Sequence, residues 1–134
     1  MRALLIACMC SVALLAQSAP PTVTNQDILN GLQDGTRWLT YSGNYASTRF
    51  TPLAQITPAN VRNLKLQWVY QSPVAGNWQT MPLVVDGVMY LTQRLNDVVA
   101  LDAATGRAFW IYRYTPDPDR IVCCGANNRG VAIL

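Results

Sequence analysis

Histidine is absent from all 134 residues. Its absence removes the usual general base near neutral pH, the commonest metal ligand and any C-x-x-C-H haem attachment. Catalysis would therefore rest on carboxylates or on a bound cofactor. Charge is scarce too: 13% of residues are Asp, Glu, Lys or Arg, 10 basic against 7 acidic, for a net +3. The basic residues are scattered rather than patched, which excludes an electrostatic footprint for nucleic acid. A stable membrane span is not expected either. The apolar run from Ala3 to Ala16 falls short of the roughly 20 residues that crossing a bilayer requires.

That run fits a secretory signal instead. Arg2 supplies one positive charge ahead of it, and Ala16-Gln17-Ser18 offers a small-residue exit. Residues 1–19 are assigned as the signal peptide and residues 20–134 as the exported part. Removing the signal takes Arg2, which leaves a net charge of +2. It also takes Cys8 and Cys10, so that Cys123 and Cys124 are the remaining cysteines.

Adjacent cysteines staple a fold poorly. A disulfide prefers Cα atoms about 4.4–6.8 Å apart, whereas neighbours across a trans peptide sit at about 3.8 Å. The ring so formed is strained and closes almost no loop, so the chain-entropy stabilisation is nearly lost. Two free thiols, or two cysteines each pairing elsewhere, would look the same in sequence. An oxidising compartment argues against the first, and the lack of other cysteines after export argues against the second. If the bond forms, a use other than stability is expected. A flat, polarisable S–S unit can lie against a planar cofactor, and Arg129, close by in the chain, can meet such a cofactor's carboxylates in bidentate fashion.

Along the exported chain the first element expected is a short helix capped by Thr24. Asp27 stands three residues on in a variant of the capping box, Ile28 and Leu32 share a face, and Gly31 and Gly35 are exits. A turn-rich stretch from Trp38 to Pro52 follows. Thr57-Pro58 then reads as a cap and a first-position proline, giving one helical turn through Asn63. Leu64, Leu66, Trp68 and Tyr70 alternate with Lys65, Gln67 and Val69, the period of a strand. From Met81 every signal is β. Pro82–Val85 and Val88–Leu91 flank Asp86-Gly87, a short-hairpin turn. Two further strands, Val98 to Asp102 and Ala108 to Tyr112, join through Ala104-Thr105-Gly106. Four short antiparallel strands within 81–114 have the spacing of a propeller blade, and their apolar residues on both faces call for neighbouring layers.

Ala100-Leu101-Asp102-Ala103-Ala104-Thr105-Gly106-Arg107-Ala108-Phe109-Trp110 fits A-x-D-x-x-T-G-x-x-x-W. It resembles the tryptophan-docking motif of quinoprotein dehydrogenase propellers, in which the tryptophan of one blade packs onto the next. Trp38 to Phe50, Thr51 to Thr57, Pro82 to Tyr90 and Cys123-Cys124-Gly125-Ala126-Asn127-Asn128-Arg129-Gly130-Val131-Ala132 also resemble, in order, the N-terminal part of the pyrroloquinoline quinone (PQQ)-dependent alcohol dehydrogenases. The resemblance implies an all-β fold: the first blade and lead-in of an eight-bladed quinoprotein β-propeller, truncated, with short N-terminal helices. The run from Arg129 to Leu134 is accordingly expected to stop within a sheet. Residues 64–70, ahead of the first complete blade, are expected to pair with the last one.

The same resemblance implies cofactor-binding roles. Cys123 and Cys124 match the vicinal disulfide that stacks on one face of PQQ, and Arg129 matches the arginine that pairs with its acidic rim. Three positions before Pro82, where better-known members carry a glutamate that hydrogen-bonds PQQ, this chain has Gln79. An amide can still donate and accept, so the contact is expected to survive with altered electrostatics. Trp110 is carried over as a packing residue. The catalytic base, the calcium or lanthanide ligands and the tryptophan under the other face of PQQ belong to later blades, beyond Leu134. The function implied is that of a periplasmic oxidoreductase passing electrons from a small alcohol to PQQ and on to a cytochrome c, or to a haem domain not in this chain. The fragment alone is expected to be inactive. A non-catalytic periplasmic propeller, acting as a scaffold or binding protein, would share the hairpin and the docking turn but has no use for Cys123-Cys124 and Arg129.

Overall fold

A computed structural model describes residues 22–119, 125 and 127–134. The signal-peptide assignment at 1–19 and the Cys123-Cys124 pair fall outside the described residues. Helix α1 (Asn25–Leu29) opens the described chain with the full capping box. The Thr24 Oγ1 accepts from the Asp27 N–H at 3.2 Å, and the Asp27 carboxylate accepts from the Thr24 N–H at 2.8 Å. The Thr24 hydroxyl, which donates to the same carboxylate at 2.7 Å, and the Thr24 N–H, with the Arg37 guanidinium nearby, hold the Asp27 carboxyl below its ordinary range. The helix ends at Leu29, short of the glycine exits.

Four strands follow: β1 (Leu83–Val85), β2 (Val88–Thr92), β3 (Val98–Asp102) and β4 (Ala108–Tyr112). They form one antiparallel sheet in the order β1-β2-β3-β4. Asp86 and Gly87 turn the first hairpin with φ of 49° and 79°, the pair of left-handed residues that a two-residue hairpin with the strands' own twist demands. Trp38 extends the β1 edge by a reciprocal pair of backbone hydrogen bonds with Val84, each 2.9 Å.

Alternation sends the strand side chains to two faces. On one, Val85 packs with Val23 and Leu39, and Ile28, Tyr90 and Ile133 lie against them. On the other, Leu91, Val99 and Leu101 pack with Trp68, Tyr70, Met89 and Ile111. The lead-in thus covers part of both faces. Phe109, Trp110 and Tyr112 on β4 stay exposed.

Residues 64–70 run without a ladder partner among the described residues; the partner expected for them is a later blade. Alternation of burial holds only over the last three positions, with Trp68 and Tyr70 packed on the sheet and Val69 exposed, while Leu64 and Leu66 are exposed. At 57–63 the turn ends in the 3-10 segment Val61–Asn63 as expected. The residue at its N-cap position is Asn60 rather than Thr57, and the Asn60 side chain makes no capping bond: it reaches back, accepting from the Thr57 N–H at 2.7 Å and donating to the Gln55 carbonyl at 2.8 Å.

The docking turn is built as its sequence asks. The Asp102 Oδ1 accepts from the N–H groups of Ala104 (2.9 Å) and Thr105 (3.2 Å), and Gly106 takes φ 73°. The Ala104 and Thr105 N–H bonds hold the Asp102 carboxyl below its usual range against a smaller opposing effect of burial. The indole seated on this turn is Trp68, not Trp110. A Cβ at Gly106 would lie 2.4 Å from the Trp68 ring, and the Trp68 Nε1 donates to the Ala103 carbonyl at 3.2 Å. Trp110 instead lies beside Tyr90, ring centres 6.0 Å apart.

Candidate cofactor-binding end of the sheet

Because β1 and β2 are antiparallel, the chain entering β1 and the chain leaving β2 lie at one end of the sheet, opposite the Asp86-Gly87 turn. The C-terminal run is tied to that end. The Met81 N–H donates to the Arg129 carbonyl at 3.0 Å, and the Thr92 hydroxyl lies 3.1 Å from the Asn128 carbonyl and 3.0 Å from the Thr80 hydroxyl. The Asn128 Oδ1 accepts from the Gly130 N–H at 2.9 Å, closing a local turn that sets the direction of Arg129.

These ties bring together two of the residues singled out from the sequence. The Arg129 Nε faces the Gln79 Oε1 at 3.4 Å across 50 residues of chain. Both side chains are exposed. Among the described residues no carboxylate stands within ion-pairing distance of Arg129; the ion pairs found are Arg37 with Asp27 and Asp86, and Arg113 with Asp97. The guanidinium is thus held by a neutral amide and keeps its full charge for a ligand. A guanidinium without a carboxylate partner can take a carboxylate-bearing ligand in bidentate fashion. Among the described residues no group of three or more His, Cys, Asp or Glu side chains gathers to hold a metal.

A buried polar network, not foreseen from the sequence, fixes the β2–β3 connection at the same end. Gln93 and Asp97 are 1% and 4% exposed. Their backbones join through Gln93 N–H to the Asp97 carbonyl, 3.0 Å. The Gln93 Nε2 donates to the Asp97 Oδ2 at 3.0 Å, and its Oε1 accepts from the Ser72 hydroxyl at 2.9 Å. Asp97 also accepts from the Arg113 Nη1 at 2.8 Å and from the Tyr114 N–H at 3.0 Å. Burial alone would raise the Asp97 pKa; the bonds from Gln93, Tyr114 and Arg113 outweigh it and hold the carboxyl below its ordinary range. The only hint in the sequence was two polar residues four apart between β strands, a pattern that ordinarily reads as exposed loop.

The family model described as "PQQ: Glucose/ethanol/alcohol dehydrogenase, beta-propeller domain" matches residues 38–134. The chain belongs to this family of PQQ dehydrogenase β-propellers, and its four-stranded sheet is a blade of that architecture. It is 41% identical over 105 residues to the 1-butanol dehydrogenase (cytochrome c) of Thauera butanivorans, covering 74% of this chain and 15% of that protein. It is 37% identical over 123 residues to the quinohemoprotein alcohol dehydrogenase ADH-IIG of Pseudomonas putida, covering 89% and 17%. The solved structure of the Pseudomonas putida HK5 enzyme ADHIIG superposes with a TM-score of 0.75 at 36% identity, over 87% of this chain and 17% of that one. A europium-containing methanol dehydrogenase superposes with a TM-score of 0.72 at 30% identity, over 82% and 20%. The chain therefore spans about 15–20% of the length of these relatives.

Proposed function

We propose that this chain forms the cofactor-facing end of one blade in a longer, exported PQQ-dependent dehydrogenase that oxidises small alcohols in the periplasm. The single observation that carries the reading is Arg129, held over the neutral Gln79 amide and free of a carboxylate partner among the described residues. Similarity to alcohol dehydrogenases supports the substrate class. The chemistry that PQQ supplies when bound is two-electron oxidation of an alcohol. Arg129 would meet a carboxylate of its rim through charge-assisted hydrogen bonds, and Gln79 would fix the guanidinium plane and offer its amide N–H groups to the same rim.

Cys123 and Cys124 are assigned to a vicinal disulfide against one face of the ring. A calcium or lanthanide ion is assigned to ligands outside this chain, a choice supported by similarity to a europium-containing enzyme. A cytochrome c is the proposed electron acceptor, in keeping with the printed name of the Thauera relative. The 134-residue chain by itself is proposed to be inactive, because the part of it that matches covers only 15–20% of its relatives. The test is alcohol-dependent reduction of an artificial dye by the complete protein with PQQ and calcium. Turnover that requires added PQQ is expected. Turnover equally fast without any quinone contradicts the reading, and turnover by the isolated 134 residues contradicts the proposed inactivity.

A further inference from the structure

Gln79 and Arg129 stand 50 residues apart in the chain, and both side chains are exposed. What brings them face to face is the residue that ends β2. Thr92 is 1% exposed, and its polar atoms touch a neighbour of each. Its N–H donates to the Thr80 Oγ1 at 3.0 Å, and its Oγ1 lies 3.0 Å from that same hydroxyl and 3.1 Å from the Asn128 carbonyl. Thr80 follows Gln79, and Asn128 precedes Arg129. Donor and acceptor chemistry fixes the order of these bonds. A carbonyl only accepts, so the single Thr92 hydroxyl proton goes to Asn128. The Thr80 hydroxyl then donates to the Thr92 Oγ1, while its own lone pair takes the Thr92 N–H. Two further bonds hold the returning chain alongside. The Met81 N–H donates to the Arg129 carbonyl at 3.0 Å, and the Asn128 Oδ1 accepts from the Gly130 N–H at 2.9 Å, with Gly130 at φ 151°, where a glycine is at ease. Thr92 is thus a buried side chain bonded to both flanks of the Gln79–Arg129 pair and to neither member of it.

We propose that Thr92 is a positioning residue for the cofactor contact: its hydroxyl sets the separation of the Gln79 and Arg129 side chains and so presents the guanidinium in one orientation to a quinone carboxylate. The inference rests on the reading of this sheet end as the PQQ site. An isosteric change isolates it, since Thr92→Val keeps the shape and removes the hydroxyl, whereas Thr92→Ser keeps the hydroxyl. PQQ affinity per folded molecule is measured in the complete protein by quenching of tryptophan fluorescence, in a cycle of wild type, Thr92→Val, Arg129→Leu and the double variant, with melting recorded for each. Thr92→Val is expected to weaken PQQ binding about fivefold, the scale of one net hydrogen bond, and Thr92→Ser to stay close to the wild type. In the Arg129→Leu background the same change is expected to have almost no further effect on affinity, because the group it orients is gone. Lost stability, by contrast, is expected in both backgrounds alike. Where Thr92→Val does not fold, Thr80→Val, at the half-buried partner, takes its place in the cycle. Wild-type affinity in Thr92→Val, an equal loss in Thr92→Ser, or the same fold-loss with and without Arg129 overturns the positioning role and leaves the Arg129 assignment standing. A wild type that binds no PQQ, or whose affinity survives Arg129→Leu, overturns the functional reading and this inference with it.

Discussion

The two ends of the sheet are made in different ways. At the turn end, Asp102 to Gly106 is closed by bonds between residues no more than five apart; the contacts from further off are the Ala103 N–H to the Gly87 carbonyl at 2.9 Å, the Arg37–Asp86 ion pair at 3.2 Å and the Trp68 ring on Gly106. At the loop end nearly every decisive contact is distant in sequence: Gln79 with Arg129, Thr92 with Asn128, Ser72 with Gln93 and Asp97 with Arg113. The turn end is apolar packing over a local frame, which suits a structural role. The loop end gathers polar side chains on a frame fixed from elsewhere, with the Arg129 guanidinium free of a carboxylate among the described residues, which suits a ligand. The difference teaches that stability and binding have been placed at opposite ends of one small sheet.

Substitutions can break or sharpen that contrast. The largest loss of stability is expected at the turn end from Trp68→Ala, which strips the indole from Gly106, Ala103 and the second core cluster. About 3 kcal/mol is expected for a large aromatic packed in this way, read as a drop in denaturant midpoint of the complete protein, with PQQ affinity per folded molecule unchanged. Asp97→Asn should follow at about 2 kcal/mol, because it removes a charged acceptor from a buried network. Unlike Trp68→Ala, it should also weaken PQQ binding, since Gln93 and Asp97 fix the β2–β3 connection at the proposed cofactor end. Gly106→Ala should cost about 1–2 kcal/mol for a side-chain residue forced left-handed, with a further penalty for moving the Trp68 ring. An equal loss of cofactor binding in Trp68→Ala and Asp97→Asn would break the division of labour. The smallest change in stability is expected from Gln79→Glu. A new exposed ion pair with Arg129 contributes under about 1 kcal/mol, read as a barely shifted denaturant midpoint.

Acid offers a separate probe. Asp97, Asp27 and Asp102 all have folded pKa values held down. A depressed carboxylate contributes stability that is fully present above its unfolded pKa, about 3.9, and is lost as pH falls through the folded value. The midpoint of unfolding should therefore be flat near neutrality and decline below about pH 4, and Asp97→Asn should flatten that decline.

Legibility followed the same division. The capping box at Thr24, the Asp86-Gly87 hairpin and strands β3 and β4 could be read from residues within one turn of each other, because their hydrogen bonds close locally. The seat of Trp68 could not, since no spacing within 64–70 reveals that its ring would lie on Gly106. Gln79 and Arg129 were found through family resemblance rather than through anything in their 50-residue separation. Gln93 and Asp97 were missed, because a buried amide and a buried carboxylate look like ordinary loop residues until the fold brings Ser72 and Arg113 against them.

The most direct test of the central claim is a PQQ titration of the complete protein and its Arg129→Leu variant, followed by quenching of tryptophan fluorescence. The account predicts saturable binding to the wild type and a loss of at least about tenfold in affinity when the guanidinium is removed, with the melting temperature of the unliganded protein unchanged. Equal affinity in both proteins would show that Arg129 does not hold the quinone and would contradict the assignment of this sheet end as the cofactor site.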